Sequence, residues 1–400
     1  MVELEQTGCN MNVIFVLSST DRYAGSTRAF MSLLRGVISK GIKVIVVVPD
    51  KSGIYEDLQE IGIEVIALLY RPNTWTYRRN FSEKLLFIPR QIARLYVNRR
   101  AISILKQLLQ GREISIIHTN VSVINIGAKV AEHLSIPHIY HFREYGDLID
   151  IIYYPSNKAF YNSLERLKTY SICITKDIQK HYKLDNNSRS CVVYDGVINN
   201  PESLKNNNPG NYFLYAGRIE PIKGLLLLLQ SYLFYSKAVE SPLKLKVAGR
   251  SIDSVYYEQV INFISNNQLE DKVNLLGEVD DVTSLYSNAR ALIVPSTFEG
   301  FGLCMPEAMS LGCIAVGRNT GGTKEQFDNG VEFTGEEIGY RYNTEKELSD
   351  ILLHLHSISI EEYIHKSTIA FQTVKSLYTT ENNVNNIISF YDHIINNANK

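Results

Sequence analysis

No apolar run in this chain approaches the ~18 residues that a bilayer-spanning helix needs, so a membrane-spanning protein is not expected. Cysteine is scarce. Cys9, Cys173, Cys191, Cys304 and Cys313 are five in number and include no C-x-x-C pair. An odd, scattered set argues against a disulfide framework and against zinc spacing, and reads as buried free thiols in a reducing compartment. An excess of charge is missing too: 41 Lys and Arg against 42 Asp and Glu leave a net charge of -1, which gives no reason to expect nucleic acid as a partner. No Asp-x-Asp pair occurs, so no metal and no cofactor is expected. No G-x-G-x-x-G follows a strand, which argues against a dehydrogenase. Met1 to Asn10 carries acidic residues and no apolar core, unlike a secretory signal. A cytoplasmic protein is expected, with peripheral contact to the inner face of the membrane left open.

Hydrophobic residues make up 45% and charged residues 21% of the 400, the composition of an ordinary globular protein with room for two α/β domains. Short β-branched runs alternate with amphipathic segments throughout. Val13–Leu17, Lys43–Val48, Ile114–His118, His138–His141, Tyr170–Thr175 and Cys191–Tyr194 read as strands of a first half. A helix is expected from Ser26 to Lys40, with Gly41 ending it. Tyr212–Ala216, Leu243–Ala248, Lys272–Leu276, Ala291–Val294 and Cys313–Val316 restart the pattern. Continuous apolar strands separated by helices imply parallel sheets covered on both faces. The expected division is 1–197, a polar linker at 198–211, a second domain at 212–379, and a closing helix at 380–400 with the stripe Val384, Ile387, Ile388, Tyr391, Ile394 and Ile395. Two doubly wound Rossmann-like domains would face each other across a cleft, with ligands beyond the carboxyl ends of the strands.

Two loops carry the chemistry. The first is Glu299-Gly-Phe-Gly-Leu-Cys-Met-Pro-Glu307, which follows an expected strand. Pro306 suits the first position of a helix that Gly312 would end, leaving the amides of Phe301 to Met305 unpaired for an anion or sugar hydroxyls. Glu307, in the first turn, could accept two hydrogen bonds from a ribose diol; an ordinary helix-start glutamate favoured by the dipole would look the same. The second loop is Gly217-Arg218-Ile-Glu-Pro-Ile-Lys223-Gly224. A forked guanidinium and a mobile ammonium five residues apart suit a diphosphate, although a solvated basic turn is common in α/β proteins.

The combination G-R-x(4)-K-G, E-x(7)-E and Gly321-Gly322 with Glu325 resembles the retaining glycosyltransferases of family four, which have the GT-B fold. The likeness runs over nearly the whole chain and is tightest from Tyr212 to Gly330. It implies that Arg218 and Lys223 contact the donor diphosphate, that Glu307 holds the ribose, and that Glu299 lies near the donor sugar. It also implies that Gly217, Phe301, Gly302 and Leu303 line the donor through backbone groups. Asp195-Gly196-Val197 looks like the family's Asn-Gly-Val segment, with Asp in place of Asn and no role carried over. In the first half, Ala24-Gly25 resembles a reduced Gly-Gly loop, and Gly25 is its donor-binding candidate. His141 resembles the histidine that reaches the donor sugar; a buried strand-end histidine bonded to backbone is the plainer alternative. His138 is expected to point the same way from deeper in the strand. His118, Arg143, Glu144 and Asp147 are acceptor-site candidates.

The resemblance implies a metal-independent enzyme moving a sugar from a nucleotide-sugar, by default a UDP-sugar, to a glycan or lipid-linked acceptor in surface polysaccharide biosynthesis. A GT-B nucleotide-sugar epimerase and a non-catalytic nucleotide-sugar binding partner are the alternatives. One segment stands apart. Residues 71–112 hold ten basic side chains and one acidic one, Glu83, interleaved with Phe81, Leu85, Leu86, Phe87, Ile88, Ile92, Leu95 and Tyr96. They suit an anionic membrane surface, with Trp75 and Tyr77 near headgroups. They equally suit an ordinary core face with arginines on its solvated side.

Overall fold

The computed structural model describes residues 11–75, 81–149, 151–199 and 209–398. Contacts divide the chain into two compact units, Met1–Gly196 with Thr380–Lys400, and Val197–Thr379. Of the expected linker at 198–211, residues 200–208 lie outside the described residues.

The first unit holds seven strands: β1 (Asn12–Val16), β2 (Lys43–Val48), β3 (Glu64–Ala67), β4 (Ile116–Thr119), β5 (His138–Phe142), β6 (Thr169–Cys173) and β7 (Ser190–Val192). They lie in the order β3-β2-β1-β4-β5-β6-β7, and every pairing is parallel. Parallel neighbours need crossovers, and the intervening helices supply them. The apolar run of β1 is continuous because both its faces are covered. Val13 and Phe15 enter one core cluster, while Ile14 and Val16 enter another on the opposite face. The last helix, Thr380–Ala398, joins the first of these cores through buried Val384, Ile387, Phe390, Tyr391 and Ile394. It lies against the helix Gly25–Ser39, close enough that a Cβ on Gly36 would sit 2.2 Å from Val384 Cγ2.

The second unit holds β8 (Tyr212–Ala216), β9 (Lys244–Ala248), β10 (Val273–Gly277), β11 (Ala291–Val294), β12 (Ile314–Arg318) and β13 (Tyr340–Tyr342). Their order is β10-β9-β8-β11-β12-β13, again all parallel. The helix Leu225–Ala238 buries Leu225, Leu228 and Leu229 against this sheet, with Leu226 and Leu227 half-buried at the edge of the same core. In each unit the strand order reverses once, between β1 and β4 and between β8 and β11. Loops leaving the carboxyl ends of such strand pairs diverge, and the crevice they leave is where open α/β sheets bind ligands.

Candidate functional site

The second unit's reversal point is formed by the two loops that carry the motifs. Gly217 follows β8, and its N–H bonds Ala248 O at 2.9 Å, holding the loop to the end of β9. Gly249 lies so close that a Cβ there would be 1.8 Å from Gly217 O, at φ +149°, so only glycine fits. The loop makes one turn of 3-10 helix at Pro221–Lys223 and closes on Gly224 at φ +71°. That left-handed turn starts the helix Leu225–Ala238 and leaves Lys223 beside the neighbouring loop. Thr297 N–H bonds Ile222 O at 2.9 Å, which ties the loop after β8 to the loop after β11.

Lys223 Nζ lies 2.7 Å from Glu299 Oε1, and Ser296 Oγ donates to the same oxygen at 2.7 Å. Both partners of the ion pair are largely covered. Arg218 differs: its side chain is 57% exposed, with Nη2 2.8 Å from Glu220 Oε1. One tine of the fork is therefore held by Glu220 while most of the side chain stays open. Phe301 is buried against Tyr378, ring centroids 5.2 Å apart, and Gln326 Nε2 donates to Phe301 O. Gly322 N–H bonds Glu299 O at 2.8 Å. A Cβ on Gly322 would come within 2.4 Å of Gly300 O, so the Gly321-Gly322 pair packs one loop on the other.

The helix after this loop is Cys304–Ser310, starting two residues earlier than expected, with Pro306 third rather than first. Proline is tolerated there because first-turn amides have no intrahelical acceptor to lose. The earlier start also pairs one amide expected to be unpaired: Met305 N–H bonds Gly302 O at 3.1 Å. Gly302 at φ +82° makes this tight entry possible, and Gly312 at φ +82° follows the helix as expected. Glu307 stands in the first turn and accepts from Tyr286 Oη at 3.3 Å. Cys304 lies beneath Glu299 and Glu307; burial and the two carboxylates push its thiol up to about 12, so it stays protonated.

In the first unit, Gly25 opens the helix Gly25–Ser39, and no side chain caps that helix. His141 is fully buried on β5. Its Nδ1 is 3.1 Å from His118 Nε2 and 3.5 Å from Arg143 Nη2, while His118 Nδ1 is 2.6 Å from Tyr391 Oη. An arginine can only donate, so His141 Nδ1 accepts. His118 Nε2 then carries the proton, and Tyr391 donates to His118 Nδ1. Burial, with Arg143 close by, holds both rings well below the ordinary imidazole range, so both are neutral near pH 7. A neutral His141 thus carries its proton on Nε2, which is buried and without a partner among the described residues. It is a donor in waiting, not the backbone-bonded histidine of the plainer alternative.

Arg143 is locked by both oxygens of Asp195, each 2.7 Å from Nη1, and by Asn120 at 3.2 and 3.3 Å from Nε. Asp195, where the resemblance has Asn, supplies the counter-charge for a buried guanidinium, which Asn could not. Glu144 accepts from Ser122 at 3.2 Å; burial raises its carboxyl, with Ser122 and Arg143 opposing. Asp147 lies in a 3-10 turn, Gly146–Ile149, and accepts from His181 Nε2 at 2.7 Å. His138 corrects an expectation. It bonds Thr119 Oγ1 at 2.7 Å on the sheet face opposite His141, because three positions along a strand reverse the side-chain direction. Sequence reasoning missed Tyr286, Ser296, Glu220, Gln326 and Tyr391. Tyr286, Gln326 and Tyr391 reach in from distant elements, while Glu220 and Ser296 belong to the motif loops or their flank and Gly249 follows a strand.

Residues 197–355 match the model of the glycosyl transferases group 1 family. That match lies within the second unit. Among curated relatives it is 28% identical over 229 residues to an uncharacterized glycosyltransferase of Methanocaldococcus jannaschii, covering 56% of this chain and 62% of that protein. It is 31% identical over 171 residues to the O-antigen chain mannosyltransferase RfbU of Salmonella typhimurium, covering 40% of this chain and 46% of that one. The chain thus spans about half to two-thirds of the length of these two relatives. Among solved structures, Anabaena HepE in complex with UDP and glucose superposes with TM-score 0.74 at 15% identity, over 96% of this chain and all of the other, 100%. A Rickettsia africae glycosyltransferase superposes with TM-score 0.76 at 15% identity, over 97% and 99%. These likenesses establish the fold as GT-B. The two motif loops, Gly217–Gly224 and Glu299–Glu307, lie inside the segment matched by the group 1 model.

Proposed function

We propose that this chain is a retaining, metal-independent glycosyltransferase, moving a sugar from a nucleoside-diphosphate donor to a glycan or lipid-linked acceptor. A UDP-sugar is the first donor to test, and surface polysaccharide assembly the proposed setting. One observation carries the reading: Lys223, Glu299 and Arg218 gather where the strand order of the second unit reverses, with Glu307 at the head of the next helix. The names of the relatives support the setting, since one builds an O-antigen chain.

On this reading the bond from the sugar's anomeric carbon to the diphosphate breaks as the acceptor oxygen bonds that carbon from the same face. The acceptor's proton passes to the departing phosphate oxygen. Arg218 and Lys223 stabilise the charge gathering on the diphosphate. Glu299 holds the Lys223 ammonium in place and, tied to Lys223 and Ser296, is not a nucleophile. Glu307 takes the ribose hydroxyls, with Tyr286 keeping one carboxylate oxygen oriented. His141 offers its Nε2–H to a sugar hydroxyl.

The test is sugar transfer from a panel of UDP-, GDP- and ADP-sugars, with chelator present, to lipid-linked and free glycan acceptors. Product of retained configuration from one donor class, lost in Lys223→Ala, supports the proposal. Conversion of the nucleotide sugar without any acceptor would replace it with the epimerase reading.

A further inference from the structure

The helix Phe87–Leu109 in the first unit is built inside out over its first half. Its buried face is polar at one end: Gln91, Arg94 and Asn98 are buried, followed by Ala101, Leu105 and Leu109. Most of the burial is offset by specific partners, with Arg94 Nη2 left without one among the described residues. Arg94 Nε bonds Gln91 Oε1 at 3.0 Å, its Nη1 bonds Asn73 Oδ1 at 3.0 Å, and its guanidinium lies 4.4 Å from the Tyr154 ring centroid. Asn98 holds the backbone of Arg71 through both its amide atoms, at 2.9 and 3.0 Å.

The apolar residues face the other way. Ile88, Ile92 and Tyr96 are 67%, 63% and 66% exposed, and Phe81 and Leu85, just ahead of them, are 82% and 69% exposed. At 100° per residue Ile88, Ile92 and Tyr96 form one row, and Arg99 continues that row a turn further on. Arg100 stands beside it, and Arg90 and Lys84 are also exposed. No carboxylate pairs with Arg90, Arg99 or Arg100 among the described residues. The two readings open to the sequence are thus both revised: these apolar side chains are not a core face, and Arg94 is not solvated. Trp75 is not free for headgroups either, since its Nε1 donates to Pro155 O at 3.1 Å and its ring stacks on Phe87. Tyr77 lies outside the described residues.

We propose that the surface formed by Phe81, Leu85, Ile88, Ile92 and Tyr96, bordered by Arg99 and Arg100, docks on an anionic lipid bilayer. A row of large aliphatic and aromatic side chains this exposed marks an interaction surface, and such side chains gain nothing against a nucleic acid backbone. Unpaired arginines at the edge of the row call for a negatively charged partner. A second copy of the chain is disfavoured, because a self-complementary contact would set these arginines against one another. The basic excess is local: the whole chain carries a net charge of -1. A helix lying in the headgroup plane uses both features at once, with the apolar row in the acyl boundary and the arginines at phosphate level. The inference does not depend on the proposed transfer reaction.

The test is co-sedimentation of the full chain with vesicles of phosphatidylcholine alone and of phosphatidylcholine with phosphatidylglycerol, at low and high salt. Binding is expected only to the anionic vesicles and is expected to fall with salt. The double variant Arg99→Ser, Arg100→Ser should weaken it about 30-fold. Ile88→Ser, Ile92→Ser, Tyr96→Ser should weaken it by about tenfold or more, with salt sensitivity retained. Both variants change exposed side chains and should keep the wild-type unfolding midpoint. Failure to pellet with either vesicle overturns the proposal. Equal binding to neutral vesicles, unaffected by the arginine variant, also overturns it. A dimer in solution that the apolar variant dissolves would assign the surface to a second copy instead.

Discussion

Lys223 and Glu299, 76 positions apart in the chain, meet at 2.7 Å where two adjacent parallel strands send their loops in opposite directions. The pair holds a cation in place before any ligand arrives. A preorganised charge of this kind reorganises little as a reaction proceeds. Lys223→Ala is therefore expected to reduce transfer on the order of 100-fold or more, with the fold intact because the side chain is only partly buried. Glu299→Gln keeps the Ser296 contact but weakens the hold on Lys223, so a smaller loss of rate is expected. Initial rates at saturating donor check both. A Lys223→Ala enzyme within a few-fold of wild type would remove the proposed role.

Glu307 is expected to act on binding more than on turnover. Glu307→Gln should raise the donor KM about tenfold or more while kcat changes by a few-fold, since one charge-assisted hydrogen bond is weakened in ground and transition states alike. Thermal unfolding with UDP, GDP and ADP gives the same answer without an acceptor: at ligand near 100 times Kd the stabilisation is about 2.7 kcal/mol. The shift should appear with one base and vanish in Glu307→Ala. A full shift in that variant would exclude the ribose contact.

Much of this was legible in the sequence. Both motif loops could be found because their residues are contiguous and follow apolar strands, and parallel sheets were legible from runs such as Lys43–Val48. The edge strands β3 and β13 were not, being four and three residues long, with Glu64 and Arg341 breaking their apolar character. The buried polar face in the first half of the helix Phe87–Leu109 could not be read. Its buried Arg94 and Asn98 are held by Asn73, Tyr154 and the backbone of Arg71, contacts that no periodicity encodes. Likewise Asp195 gave no hint of Arg143 until the fold brought them together across 52 positions.

Gly224 offers a test of the backbone alone. At φ +71° a side chain is strained, and a Cβ would lie 2.2 Å from Pro295 O, in the backbone of the neighbouring loop. Gly224→Ala is expected to destabilise the second unit by roughly 2 kcal/mol or more, from left-handed strain plus the clash. Denaturant unfolding measures it. A loss below 0.5 kcal/mol, on the scale of an ordinary surface substitution, would mean the loop has a relaxed alternative.

Acid should loosen the first unit earlier than carboxylate titration would. His118 and His141 are held well below the ordinary imidazole range and His138 down to about 3, in each case first by burial. A histidine depressed in the folded state contributes fully above its unfolded pKa of ~6.5 and less as pH falls below that, because only the unfolded chain takes up the proton. Three such groups give a slope approaching 4 kcal/mol per pH unit well below 6.5. Unfolding free energy measured from pH 7 to 5 should show this loss. A flat profile would mean these rings are protonated in the native protein.

The Tyr391–His118–His141 chain makes the last prediction, because it fixes a tautomer through two hydrogen bonds and a third from Arg143. In 15N-histidine spectra near pH 7, both His118 and His141 should appear neutral with the proton on Nε2. Tyr391→Phe removes one hydroxyl from a helix packed in the core and leaves His118 Nδ1 without its donor, at a cost of about 1–3 kcal/mol. His118 then loses the bond that orients its ring, and the His141 ring loses its backing. If His141 has its proposed role, kcat should fall roughly tenfold with donor KM little changed, since an Nε2–H donated to the sugar would matter most as charge develops there. A purely structural role for Tyr391 would lower stability and leave kcat per folded molecule untouched. A wild-type His141 signal showing the proton on Nδ1 would break the chain at its first link, because Arg143 and His118 could not then both face that nitrogen.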